Sequence, residues 1–521
     1  MRSLVVLSTL AASASAAIQK TSGYDYIVIG GGTSGLTVAN RLSEDASSSV
    51  LVIEAGGSVY NDPQVYDVNG YGLALGSSID WAYSAVNQTY GGNTQQTLRA
   101  GKALGGTSTI NGMVYARAED AQIDAWATIG NPSWSWNSLL PYYIKSENLT
   151  YPNAEQVAAG AAYDPAYNGE DGPLKVAFKP SQSATDFITK LNQSISGLGL
   201  PPNPDINTGH MRGFSVTPVT IDYDKQVRED AARAYYYPFA ASRHNLNVLL
   251  GTSATRITWG IPRSGQATAN GVEVALTNGT VQVLKARREV IVSAGALRSP
   301  GILEHSGIGN PGILSEFGIP VVVNLPTVGE NMQDQTTTDM APISHDIVNG
   351  GSITTYATAQ DIFGNETQSI RDALQTDLPK FAAQAADASG GTMKASDLER
   401  LFETQFDLIF EHNTPIAEVI LGASGSTSIS AEYWGLLPFA RGSVHISSAN
   451  PLSMPTINPN YFMYDYDLKT QIAIARYIRS IFASEPINSL VAGESSPGFD
   501  AVPEGGSDEE WKAWLFGGYC E

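Results

Sequence analysis

The chain has 521 residues, 42% hydrophobic and 16% charged, enough to bury a large core and to divide into two or more domains. Its 51 acidic against 30 basic residues give a formal net charge of −21, which argues against a nucleic-acid partner because phosphates would be repelled rather than neutralised. A single cysteine, Cys520, excludes an internal disulfide, a thiolate metal site and a cysteine redox pair.

Residues 1–16 start with Arg2, pass through the apolar run Leu4 to Leu10 and end on Ala14-Ser15-Ala16. This is the pattern of a secretory signal peptide, too short to span a bilayer, and it predicts an extracellular protein. Sequons at Asn87, Asn148, Asn192, Asn278 and Asn365 fit export and glycosylation.

Tyr24 to Gly57 predicts a complete strand–turn–helix–strand unit. Tyr26 to Ile29 has the length and β-branched content of a buried parallel strand, and Gly30-x-Gly32-x-x-Gly35 follows it directly before a helical pattern from Ser34 to Leu42. Gly30 permits the tight turn, Gly32 leaves room for a pyrophosphate against the backbone, and Gly35 lets the helix lie close to the strand. The helix N-terminus then offers N–H groups and a positive dipole end to phosphates. Glu54 closes the second strand, Val50 to Ile53, near the distance at which a carboxylate takes hydrogen bonds from ribose hydroxyls. With every part in place, the segment predicts dinucleotide binding.

Further along, Arg99 to Arg117 is glycine-rich and polar, and Pro141 and Pro152 mark helix and loop boundaries. A strand at Glu289 to Ser293, a glycine turn and a helix near Arg298 to His305 read as a late return to the nucleotide domain. Amphipathic helices are expected at Leu398 to Phe410, with Ser396 as N-cap, and at Asp467 to Ala483. Gly435 to Ser448 reads as strands. None of the six histidines has metal-binding spacing, and His305 and His445 are expected as packed or surface residues.

Three segments then carry a family resemblance. GKALGGTSTINGMVYARAEDAQID from Gly101, GALRSPGILEHSGIG from Gly295, and ARGSVHISSANPLSMPTINPNYF from Ala440 resemble the signatures and substrate-domain sheet of the glucose–methanol–choline oxidoreductases. Within that family the chain is most similar to secreted fungal FAD-dependent glucose dehydrogenases, with glucose oxidases more distant. The resemblance implies an α/β fold with an α+β second domain: a discontinuous FAD-binding, Rossmann-like domain interleaved with an antiparallel-sheet substrate domain. The expected division is 17–330, mainly FAD-binding with a substrate-domain insertion, and 331–521, mainly substrate domain.

It also implies FAD as cofactor, a small sugar or alcohol as substrate, and a separate electron acceptor. Thr33 and Ser34 would meet the pyrophosphate and Glu54 the ribose. Thr107, Asn111, Gly112 and Val114 would line the flavin, and Ala254 would lie on the adenine. Tyr71 and Glu418 match positions used as a pocket wall and a sugar-hydroxyl acceptor, although a buried acid satisfied by backbone N–H groups is the alternative for Glu418. In the family the segment like Trp511 to Tyr519 runs on into Arg-x-Asn-x-His, which supplies the catalytic histidine, so no catalytic residue is assigned here and the chain as given is expected to be a poor enzyme. The implied reaction is oxidation of a sugar, glucose favoured, at C1 with electrons passed to a non-oxygen acceptor. Oxidase activity with oxygen, or a lyase or silent FAD-binding protein on the same fold, are the alternatives.

Overall fold

The structure is a computed structural model that describes residues 23–262 and 265–519. The expected signal peptide and Cys520 lie outside the described residues.

Four parallel strands form the nucleotide-side sheet, in the order Leu246–Leu249, Val50–Ile53, Tyr24–Ile29 and Val281–Val292. Ala269–Leu276 and Thr252–Trp259 extend it antiparallel. Val50–Ile53 has no polar alternation because both its faces are covered, as parallel strands require. Val28, Val50 and Val52 pack on one face against Leu36 and Ala39 of the helix Thr33–Leu42. Ile27, Leu51 and Ile53 face the other way, onto Val272, Val274 and Ile302. The turn after Tyr24–Ile29 needs its glycines. Gly30 sits at φ +100°, where a Cβ would meet the Ser293 carbonyl oxygen at 2.4 Å, and a Cβ on Gly35 would lie 2.0 Å from the Gly30 oxygen.

The second sheet is antiparallel throughout, in the order Ser426–Ser428, Thr337–Val348, Ser430–Gly435, Ala417–Ala423, Gly351–Ala357 and Gly213–Ser215. Ala417–Ala423 alternates buried and half-buried positions. Val419 and Leu421 point into a core shared with the helices Asp186–Gly197 and Asp465–Ala483, and Glu418 therefore stands on the opposite face. Gly213–Ser215 joins this sheet before the chain returns at Leu246 to the parallel one, so the two sheets are interleaved in sequence.

Three local expectations differ from the structure. Pro141 lies inside the helix Trp136–Ser146 rather than at its edge. The Ser135 hydroxyl caps that helix on the Ser138 N–H, and Trp136 packs near Tyr143 at 6.1 Å, both offsetting part of the cost of about 3 kcal/mol for an internal proline. The helix expected from Leu398 begins at Ala395 with Lys394 at the cap, so Ser396 lies in its first turn. The strand block expected from Gly435 is broken. Ser430–Gly435 ends in the large sheet, and Gly442–His445 pairs instead with Glu330–Met332 and Thr456–Asn458.

Candidate cofactor site

A cavity of about 440 Å³ opens along the C-terminal ends of the parallel strands, a size typical of a small-molecule site. Its walls include Gly30, Gly32, Thr33, Ser34, Glu54, Thr107 and Ala254. Seven of the residues singled out by sequence are thus brought to one cleft. Gly35 is not on the wall, and its place beneath the turn is the packing role expected of it.

The residues suit a dinucleotide. A Cβ on Gly32 would touch only Gly106 Cα, at 3.5 Å, so the backbone is bare on the cleft side. Gly32 caps the helix Thr33–Leu42 without a side-chain bond, and the first turn has no acid. The first intrahelical bond runs from the Leu36 N–H to the Gly32 oxygen, which leaves the N–H groups of the helix's first turn without an intrahelical acceptor, an arrangement that favours an anion in the cleft. Glu54 Oε2 accepts from the Gly31 N–H at 2.8 Å and Oε1 from the Gly56 N–H at 2.7 Å. Burial pushes its carboxyl up, against the pull of those two N–H groups. Each oxygen keeps a lone pair for a ribose hydroxyl. Thr107 Oγ1 accepts from the Gly101 N–H at 3.2 Å, and Ala254 reaches the cleft from the strand Thr252–Trp259.

Sequence reasoning missed a basic and aromatic wall. Arg298 lines the cleft, donates to the Ser453 oxygen at 2.7 Å, and lies over Trp81 at 4.9 Å, while Lys102 lies over the same ring at 4.6 Å. In a chain of net charge −21, cations gathered here favour an anionic ligand. His305 also lines the cleft, and burial, helped by the Arg298 charge, holds it down at about 4, hence neutral at pH 7. His445 is ion-paired between Glu304 and Glu330, more than the packed or surface residue expected. Pairing was invisible because the three residues come from separate elements.

Asn111, Gly112, Val114 and Tyr71 are not on this wall. They form a second group in which Tyr71 Cε2 lies 3.7 Å from a Cβ built on Gly112, and Asn111 and Val114 are exposed. Glu418 is not on the cleft wall either and stands on the large sheet. Its Oε1 accepts from the Tyr356 hydroxyl at 3.0 Å, a side-chain partner in place of the backbone N–H groups of the alternative reading. Elsewhere, Glu119, Asp120 and His210 bring three ligand-type atoms within 4.8 Å of one another. His210 is exposed there, and Glu119 Oε2 is already used by the Met211 N–H.

A parallel sheet with a glycine cradle at its C-terminal edge and an interleaved antiparallel sheet is an arrangement shared with FAD-dependent oxidoreductases. The description "GMC oxidoreductase" matches residues 24–337, and a C-terminal part of the same description matches 438–515. The chain belongs to the GMC oxidoreductase family, whose members act on CH–OH donors. The glucose oxidase-like protein fsoC of Humicola fuscoatra is 42% identical over 515 residues, 98% of this chain and 86% of that protein. A glucose oxidase of Aspergillus carbonarius is 35% identical, covering 94% of this chain and 80% of its own length. An FAD-dependent oxidoreductase from Chaetomium thermophilum superimposes with a TM-score of 0.86 at 28% identity, over 95% of this chain and 88% of that one.

Proposed function

We propose that the protein oxidises a sugar, glucose favoured, at C1 to the lactone and passes the electrons to a quinone-type acceptor. The observation that carries the sugar reading is Glu418, a half-buried carboxylate with one oxygen fixed by Tyr356 and the other left to accept from a substrate hydroxyl. Strand pairing sets Trp434 directly opposite Glu418, a combination of flat apolar surface and acceptor that suits a polyol.

Bound FAD supplies the two-electron acceptor for the C–H bond. The chain's own residues would bind and orient it: Gly32, Thr33 and Ser34 would hold the pyrophosphate, Glu54 the ribose and Ala254 the adenine, while Thr107, and beyond it the loop of Asn111, Gly112 and Val114, would meet the flavin. Tyr71 forms the pocket wall. The domain division 17–330 and 331–521, export through the signal at 1–16, and the absence of a nucleic-acid partner belong to the same reading. No described helix is long and apolar enough to cross a membrane.

Oxygen as acceptor is the second reading, favoured by the glucose oxidases among the relatives. The test is anaerobic addition of glucose to the FAD-loaded protein. Slow bleaching of the flavin by glucose, in keeping with a chain to which no catalytic base is assigned, and faster reoxidation by a quinone than by air, is the expected result. Faster reoxidation by air would move the protein to the oxidases, and a flavin that no sugar or alcohol bleaches would overturn the proposal.

A further inference from the structure

Behind the second group of candidate residues lies Arg228, 1% exposed. It tethers three pieces of chain. Its Nε donates to the Val65 oxygen at 2.9 Å, and its Nη1 donates to the Asn111 oxygen at 2.7 Å, to Asn111 Oδ1 at 2.9 Å and to the Ser108 oxygen at 3.3 Å. All four acceptors are neutral. No carboxylate lies within ion-pair distance of Arg228 among the described residues. Asp230, whose field reaches it, is committed to Arg233 at 3.4 Å and to the N–H groups of Ala232 and Arg233. Burial lowers the guanidinium pKa to about 10, which still leaves it charged at neutral pH.

A buried cation without an ion-pair partner is costly, and only the fields of Asp230 and Tyr71 offset its burial. The loop it holds is also strained. Met113 takes φ +66°, a region sparsely populated by non-glycine residues, and its N–H is held by Asn111 Oδ1 at 3.2 Å. Asn111 Oδ1 therefore accepts twice, from Arg228 and from Met113, so the side-chain amide has its carbonyl turned inward. Its Nδ2 donors make no hydrogen bond among the described residues, and the residue is exposed. The result is a surface with a donor pair in front and a positive charge behind.

We propose that Arg228 is a positioning residue for the flavin, fixing Asn111 with its NH₂ outward and placing a positive charge behind the loop that favours the anionic form of the ring. The inference rests on the FAD reading and goes beyond it by assigning the charge that tunes the ring.

The discriminating variant is Asn111→Asp. It keeps an oxygen for Arg228 and for Met113, so the loop stays tethered, but it removes the NH₂ and cancels the charge. Two readouts are used on the full chain: FAD affinity from flavin fluorescence quenching, and the affinity of the bound flavin for sulfite, which adds to the oxidised ring to give an anionic adduct. Asn111→Asp is expected to unfold at or above the wild-type temperature, yet to bind sulfite at least tenfold more weakly. Arg228→Lys, which keeps charge with fewer hydrogen bonds, is expected to lose thermal stability and to retain sulfite binding within about threefold. Asn111→Asp with wild-type sulfite affinity would overturn the inference and leave the FAD reading standing. A wild-type chain that takes up no FAD would overturn both. A loss of sulfite binding in Arg228→Lys equal to that in Asn111→Asp would overturn the electrostatic role and leave only a tether.

Discussion

Replacing His445 with Gln tests how the second-signature helix is fastened to the strand block beside the cleft. His445 Nδ1 lies 2.7 Å from Glu304 Oε1 and Nε2 lies 3.2 Å from Glu330 Oε1, and the Ile446 N–H donates to Glu304 Oε2 at 2.8 Å. Glu304 is on the helix Ser299–His305 and Glu330 on the strand Glu330–Met332, so the imidazolium joins three elements. Burial alone would lower the histidine pKa, but the two carboxylates overcome it and raise the value from 6.5 to about 9. At about 1.4 kcal/mol per pH unit, that rise is worth about 3 kcal/mol. The group is protonated in the folded state at pH values where it is neutral when unfolded, so its stabilisation is complete below pH 6.5 and is lost as pH climbs through 9. With an unfolding entropy of about 2 cal/mol/K per residue, the effect amounts to about 3 °C over this chain. Thermal unfolding from pH 6 to pH 10 is therefore expected to show a gap between wild type and His445→Gln that closes by about 3 °C. Any constant offset reflects packing. A gap that does not change with pH would refute the ion-pair account.

Three further substitutions separate cofactor binding from folding and from substrate recognition. Gly32→Val is expected to abolish the yellow flavin absorbance while leaving the apoprotein folded, because its Cβ meets only Gly106 Cα at 3.5 Å. Gly35→Ala should instead lower thermal stability, because its Cβ falls 2.0 Å from the Gly30 oxygen; retained flavin in the first variant, or wild-type stability in the second, would count against these roles. Glu418→Gln is expected to raise the KM for sugar at least tenfold and to keep FAD bound. An unchanged donor dependence would return Glu418 to a structural role with Tyr356.

What was legible in the sequence was local. The strand Val50–Ile53 has the bounds read from its apolar run, and Gly30 and Glu54 are only 24 positions apart in one strand–turn–helix–strand unit, so spacing alone places them around one cleft. Residues that meet across the fold left no such trace. Tyr356 and Glu418 are 62 positions apart and meet because Gly351–Ala357 and Ala417–Ala423 pair in that register. Trp81 reaches the cleft from one segment, and Arg298 and His305 from the two ends of a helix more than 200 positions later.

Arg228 shows the limit most clearly. In Gln226-Val227-Arg228-Glu229-Asp230 it stands beside two acids, and no motif in the sequence singles it out. Asp230 turns to cap the helix Ala231–Tyr235, leaving the guanidinium to four carbonyl-type oxygens of the loop and of Val65. Neighbouring charges in sequence say little about compensation when one of them is a helix cap, since a cap spends its oxygens on backbone N–H groups. Where an acid two residues after a buried arginine N-caps a helix, the cation is available to work on something else, and here the loop it reaches is the one that carries Asn111 and Gly112.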